Sequence, residues 1–208
     1  MNAVIFDLEL IKRFKKGQFS EIVEIGACKV NLHTKSIIDQ FQIYITPKNG
    51  YVSKSTRKFI KMKKEDLKTA VPFSTGIQKF ASWLGDDYYL CSWGIDDKAH
   101  IINQCVRASI NLDWFKNYND IQKQISKSLA ADNNTQLGLK NALTSAGIIP
   151  LGIAHRGIDD AINTAHLFIE FIDEINLLNN TVTKKEVSLE FKKIREAIQH
   201  NKLLKETK

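Results

Sequence analysis

This chain has little of what would place it in an extracellular, zinc-clipped or membrane-spanning class. Its 208 residues include only three cysteines, Cys28, Cys91 and Cys105. The number is odd, no CxxC occurs, and no spacing matches a zinc site, so neither a disulfide framework nor structural zinc is indicated. Cys28 and Cys91 lie inside apolar, strand-like runs and read as buried reduced thiols. No apolar stretch approaches the roughly 20 residues of a membrane span. Met1-Asn2-Ala3-Val4 runs straight into a strand without the pattern of a signal peptide, so no membrane association and a cytoplasmic location are expected. Internal repeats and low-complexity linkers are also lacking.

What is present is ordinary in amount. The chain is 43% hydrophobic and 25% charged, and its length suits one well-buried domain with a small appendage. Thirty Lys and Arg against 23 Asp and Glu give a formal net charge of +7. A modestly basic surface suits a polyanionic partner, although many soluble proteins reach this value without one.

Hydrophobic periodicity predicts three consecutive strands, over 3–9, 21–30 and 36–45, whose short connections favour an antiparallel meander. Residues 48–68 are Lys-rich and predict short helical turns. Pro72-Phe73-Ser74 opens an amphipathic helix that Gly85 stops. A strand over 88–93, a helix over 97–108, a short strand over 112–115 and helices over 121–129 and 139–146 follow. The periodic run 158–178 predicts a long helix with Ala161, Ala165, Phe168, Ile169 and Ile172 inward. A last basic amphipathic stretch covers 184–204. A meander followed by alternating helices and strands implies a mixed sheet covered by helices.

Four carboxylates and a histidine stand in contexts that chemistry would choose. Asp7 and Glu9 are two apart on a predicted strand and therefore share a face, where two anions repel unless a cation lies between them. Asp97 follows Trp93-Gly94 at a helix start. His155 and Asp160 straddle a predicted loop-to-helix junction. Each fragment alone also has an ordinary explanation. Asp7 and Glu9 fit a solvated strand end, Asp97 or its neighbour Asp96 a helix cap, and Asp160 compensation of a helix dipole. Together they offer several oxygen ligands for two divalent ions about 4 Å apart, beside a histidine able to take a proton from water.

In order, element and neighbouring residues these fragments resemble the DEDDh branch of the DnaQ-like 3′–5′ exonucleases, and within it the Eri-like and KapD-like group. The matching runs are Phe6-Asp7-Leu8-Glu9, Glu21-Ile22-Val23-Glu24-Ile25-Gly26-Ala27, Ser92-Trp93-Gly94-Ile95-Asp96-Asp97, Leu139-Lys140-Asn141-Ala142-Leu143 and His155-Arg156-Gly157-Ile158-Asp159-Asp160-Ala161. The last is the most specific, and the resemblance spans about residues 3–175.

The resemblance implies an α/β, ribonuclease H-like fold: a mixed five-stranded sheet, its first three strands antiparallel, flanked by helices. It implies an exonuclease domain over 1–178 and a basic helical extension over 179–208. Asp7, Glu9, Asp97 and Asp160 would hold two Mg²⁺ or Mn²⁺ ions, and His155 would be the general base, with all five counted as catalytic. Asp96 and Asp159 fall outside the matching positions. Single-stranded RNA or DNA would lose nucleoside 5′-monophosphates from its 3′ end, with Leu8, Leu10, Ile11 and Trp93 touching the terminal nucleotides. Trp93 suits the core equally well, and Phe14 is a weaker candidate for base contact. Two alternatives stand beside this: a regulatory or interaction protein on an exonuclease fold, or a proofreading subunit that docks on a polymerase through its extension. The extension could bind a protein partner or, preferably, pack on its own domain.

Two departures from the family pattern stand out. Ile11 occupies the position of a sugar-contacting Thr. Phe59-Ile60-Lys61-Met62-Lys63-Lys64 replaces a Leu-Thr-Gly-Ile run, and its added lysines fit either a phosphate grip or a solvated face.

Overall fold

The computed structural model describes residues 1–13, 15, 17–129 and 135–206. Phe14, proposed above as a base contact, lies outside them.

Five strands form one sheet in the order β3-β2-β1-β4-β5. Strand β1 (Asn2–Ile11) is central and apolar on both faces, as a strand covered on both sides must be. It pairs antiparallel with β2 (Glu21–Asn31), which pairs antiparallel with β3 (Ser36–Tyr44). On its other side β1 pairs parallel with β4 (Tyr88–Ser92), which pairs parallel with β5 (Tyr118–Asp120). This is the mixed five-stranded sheet, antiparallel in its first three strands, that the family resemblance implies.

Two helical layers cover it, and strand alternation decides which residues meet which layer. Val4, Phe6, Leu8 and Leu10 face a core built with α2 (Phe73–Leu84) and α3 (Asp96–Arg107), centred on Ile77, Phe80, Ile101 and Cys105. Ala3 and Ile5 face the opposite core, shared with α4 (Gln122–Leu129), α5 (Leu139–Ser145) and α6 (Gly157–Glu170). Between β3 and α2 lie a short helix, α1 (Lys54–Phe59), and a 3₁₀ turn at Asp66–Lys68. The final helix, α7 (Lys184–Glu206), packs back on α3. Glu190 accepts from Asn103 Nδ2 at 2.7 Å, and Lys98 pairs with Glu186 at 2.7 Å.

Two expected elements fall elsewhere. Residues 112–115 form no strand; they turn, with the Phe115 amide donating to the Leu112 carbonyl, and drop Leu112, Trp114 and Phe115 into the core. The fifth strand is 118–120, whose polar Asn119 and Asp120 hid it from an apolar reading. The helix expected over 158–178 ends at Glu170. Its apolar pattern continues because Phe171, Ile172, Ile175 and Leu177 still pack on the core, but residues 176–181 run beside β5 as an edge cover. Asn119 exchanges hydrogen bonds with the Leu178 backbone, and Asn117 and Asn180 do the same across the edge.

Candidate active site

Parallel pairing of β1 with β4 stops at Ile5–Cys91, so Asp7 and Glu9 project past the end of β4, where an open sheet leaves a crevice. Both continue the Ala3–Ile5 face, toward α6. The β1–β2 register shifts between Glu9 and Leu10, a bulge that twists the strand end beside the site. From β4 the chain turns into α3, whose first turn carries Asp96 and Asp97.

The fourth carboxylate, Asp160, comes from α6, and two glycines bring it close. A Cβ on Gly26 of β2 would stand 2.1 Å from the Gly157 carbonyl carbon and the Ile158 nitrogen. Backbone therefore meets backbone, and the first turn of α6 lies against β2 and β1. His155, just before that helix, adopts the left-handed backbone (φ 65°), uncommon for a residue with a side chain. Its amide donates to Asp160 Oδ2 at 2.9 Å, which fixes the loop against the helix. Asp159 does a separate job, accepting from the Ile153 amide at 2.9 Å.

A cleft of about 250 Å³ results, lined by Asp7, Glu9, Asp97, His155 and Asp160, together with Leu8, Leu10 and Trp93. Ile11 is absent from that lining. It is buried with Val23, Val52, Ile60 and Met62, packing beside the cleft. Trp93 lines the cleft while packing on the α4–α6 core and donating Nε1–H to the Leu137 carbonyl. Lys12, Phe59, Asp96 and His100 also line the cleft. Helical spacing from Asp96 and Asp97 could have pointed to His100; Phe59 and Lys12 carried no signal beyond their places in basic runs.

The electrostatics are those of crowded, buried anions. Burial, then Asp97, Glu9, Asp160 and Glu24, pushes the Asp7 carboxyl well above the ordinary range. Glu9 is pushed up to about 8 by burial, then Glu24, Asp160 and Asp97. Asp97 is also pushed up to about 8, by burial and then Asp96. Asp160 is raised chiefly by burial, against the opposing hydrogen bond from His155. Such a set either holds protons or holds cations. Donor atoms of Glu9, His155 and Asp160 lie within 4.8 Å of one another, the one such group among the described residues. Asp7 and Asp97 stand outside that tight group, and Asp97 adds to the upward push on Asp7. The donor set of carboxylate oxygens is what a hard divalent ion takes.

A further carboxylate, Glu24, lies opposite Glu9 in the β1–β2 register and is wholly buried. Its Oε1 accepts from Gln42 Nε2 at 2.8 Å, while Oε2 has no hydrogen bond among the described residues and faces Arg156 Nε at 4.0 Å. Arg156 also donates to Asp66 and to the Lys61 carbonyl, both at 3.2 Å, and to the Tyr44 hydroxyl. The residue after His155 is thus tied to β2, to β3 and to the segment that follows α1.

The RNase_T family model, described as an exonuclease, matches residues 4–168. The chain is 24% identical over 190 residues to the PolC-type DNA polymerase III of Thermotoga maritima; this covers 89% of the chain but 13% of that polymerase. Among solved structures, the nuclease domain of 3′hExo, a DEDDh family member bound to rAMP, superposes with a TM-score of 0.76 at 24% identity, covering 88% of this chain and 97% of that one. Cell-death related nuclease 4 (CRN-4) gives 0.73 at 18% identity, covering 83% and 64%. The likeness to these structures is one of fold, and the family match covers all five residues of the acidic cleft: the chain belongs to the RNase_T exonuclease family.

Proposed function

We propose that the protein is a divalent-metal-dependent 3′–5′ exonuclease of the DEDDh type that removes nucleoside 5′-monophosphates from single-stranded RNA or DNA. The observation that carries this reading is the convergence of Asp7, Glu9, Asp97, Asp160 and His155, from three separate parts of the chain, on one cleft. Asp7, Glu9, Asp97 and Asp160 would hold two Mg²⁺ or Mn²⁺ ions, which when bound activate water and stabilise charge on the leaving oxygen.

The remaining work falls to the protein. His155 accepts the proton of the attacking water at its imidazole, held at the cleft mouth by the hydrogen bond its backbone N–H donates to Asp160 and by the ring of Phe59 stacked on it at 4.7 Å. Leu8, Leu10 and Trp93 offer apolar surface to the terminal nucleotide. Lys12 lies near enough to Glu9 and Asp97 to oppose their raised pKa values, and so sits where a phosphate enters. A second reading, trimming of a DNA 3′ end in company with a polymerase, draws on the likeness to the PolC-type polymerase.

The test is a time course with 3′-labelled and 5′-labelled single strands of RNA and DNA in Mn²⁺ or Mg²⁺, with Asp7→Ala and EDTA as controls. The expected result is early mononucleotide release from the 3′ label, laddering of the 5′ label, and loss of both in the controls. No cleavage by folded, metal-supplied protein on either sugar would overturn the proposal.

A further inference from the structure

Beside the cleft lies a dense run of one charge. Residues 54–64 hold six cations, Lys54, Arg57, Lys58, Lys61, Lys63 and Lys64, and no acid. Five of them are exposed, Arg57 half-buried, and none forms an ion pair among the described residues. Like charges at this density repel, and the segment contains nothing to offset them.

The backbone that carries them is nevertheless fixed. Val52, Ile60 and Met62 are buried against Ile11 and Val23, the strand ends just beyond Glu9 and Glu24. Ser53 caps α1 by accepting from the Thr56 amide at 3.1 Å. Lys61 takes a left-handed backbone (φ 54°) between the buried Ile60 and Met62, and its carbonyl accepts from Arg156, the neighbour of His155. The lysines therefore keep a set position relative to the cleft. At the inner edge, Phe59 is 55% exposed, lines the cleft and stacks on His155.

We propose that α1 and the 61–64 loop form a ledge that binds the phosphates of a single strand on the 5′ side of the terminus held in the cleft. The proposal rests on the exonuclease reading of that cleft and adds the path of the substrate. A fixed row of unpaired cations meets a polyanion by releasing its counterions, and it does so without regard to sequence. The ledge acts only on strands long enough to reach it, so the enzyme distinguishes substrates by length.

The experiment compares two quadruple variants of equal charge change: K58Q/K61Q/K63Q/K64Q on the ledge, and K123Q/K127Q/K184Q/K185Q among exposed lysines that line no part of the cleft. Anisotropy of a labelled single-stranded 20-mer in EDTA reads binding, and KM for the 20-mer and for a trinucleotide with Mn²⁺ reads use. The ledge variant is expected to bind the 20-mer at least tenfold more weakly, with a salt slope shallower by about 2 if three contacts are lost. Its KM should rise for the 20-mer and not for the trinucleotide, while the matching Lys→Arg variant behaves as wild type. Equal behaviour of the two Gln variants, or equal loss on both substrates, would overturn the ledge. Hydrolysis of neither substrate by the wild type would sink the nuclease reading, and the anisotropy comparison would still decide the ledge.

Discussion

The floor of the cleft and the ledge beside it put charge to use in opposite ways. Asp7, Glu9, Asp97 and Asp160, with Glu24 beneath them, are all raised by burial, and Asp97, Asp160 and Glu24 add to the push on Asp7 and Glu9. The lysines of 54–64 stand in water, where like charges cost little. The floor draws on three separate parts of the chain, and the ledge on one continuous segment. The difference follows from what each does. Holding a metal ion requires ligands brought together where the fold alone would reject them, so the site is built against stability. Gripping a strand requires only that cations be near, and a helix turn anchored by three apolar side chains suffices.

The sharpest way to separate the two is to remove the imidazole proposed as the general base. His155→Ala should lower the hydrolysis rate by roughly 10²–10⁴-fold, the span expected for a general base, while leaving binding of a 20-mer in EDTA unchanged. Single-turnover rates and anisotropy read the two effects. A loss of binding as large as the loss of rate would mean that His155 shapes the ledge through Phe59 and does not act on water.

A smaller effect is expected from Gly26→Ala, which touches no charge at all. The added methyl would collide with the backbone of Gly157 and Ile158. Helix α6 must then lift from β2, carrying Asp160 and His155 away from Asp7 and Glu9. Overpacking of this kind costs roughly 1–3 kcal/mol, read as a lower denaturant midpoint. Activity should fall further than stability explains, because misplaced ligands are felt at the chemistry. If the midpoint falls and the residual folded protein keeps its full turnover, the floor tolerates displacement better than the geometry implies.

These two sites also differ in how far the sequence foretold them. The meander, the order of α2, β4 and α3, and the acidic positions were legible because apolar periodicity marks elements and the Asp7–Glu9, Asp97 and His155–Asp160 contexts match a family pattern. Strand β5 was not, since Asn119 and Asp120 pair by backbone and carry no apolar signal. The end of α6 was missed because Ile172 and Ile175 keep packing after the helix stops, so burial outlasts helical geometry. Ile11 reads as a nucleotide contact from the family position of a Thr, whereas it packs with Val23, Val52, Ile60 and Met62, a setting that only the tertiary fold creates. Glu24 lay in a matching run, but its place opposite Glu9 and its contact with Arg156, like the stacking of Phe59 on His155, are tertiary and carried no assigned role in the sequence.

The least dramatic experiment tests the physical premise of the comparison, that the floor is strained without cations. In the metal-free fold Asp97 and Glu9 are pushed up to about 8, against ordinary values of 3.8 and 4.5. Between about pH 4 and pH 8 the folded protein therefore holds protons that the unfolded chain has already released. By linkage, stability from these groups is complete below the unfolded values and is lost as pH rises toward 8. Asp97→Asn removes one titration and relieves its neighbour Asp7. Measured by calorimetry in EDTA, the Tm of the variant relative to wild type should climb steadily from pH 4.5 to pH 8. Adding Mn²⁺ at pH 8 should raise the wild-type Tm more than that of the variant, because a cation and a proton relieve the same repulsion. A difference in Tm that stays flat across this range would mean that Asp97 ionises without penalty. The floor would then be as relaxed as the ledge, and its carboxylates would need no metal to explain their company.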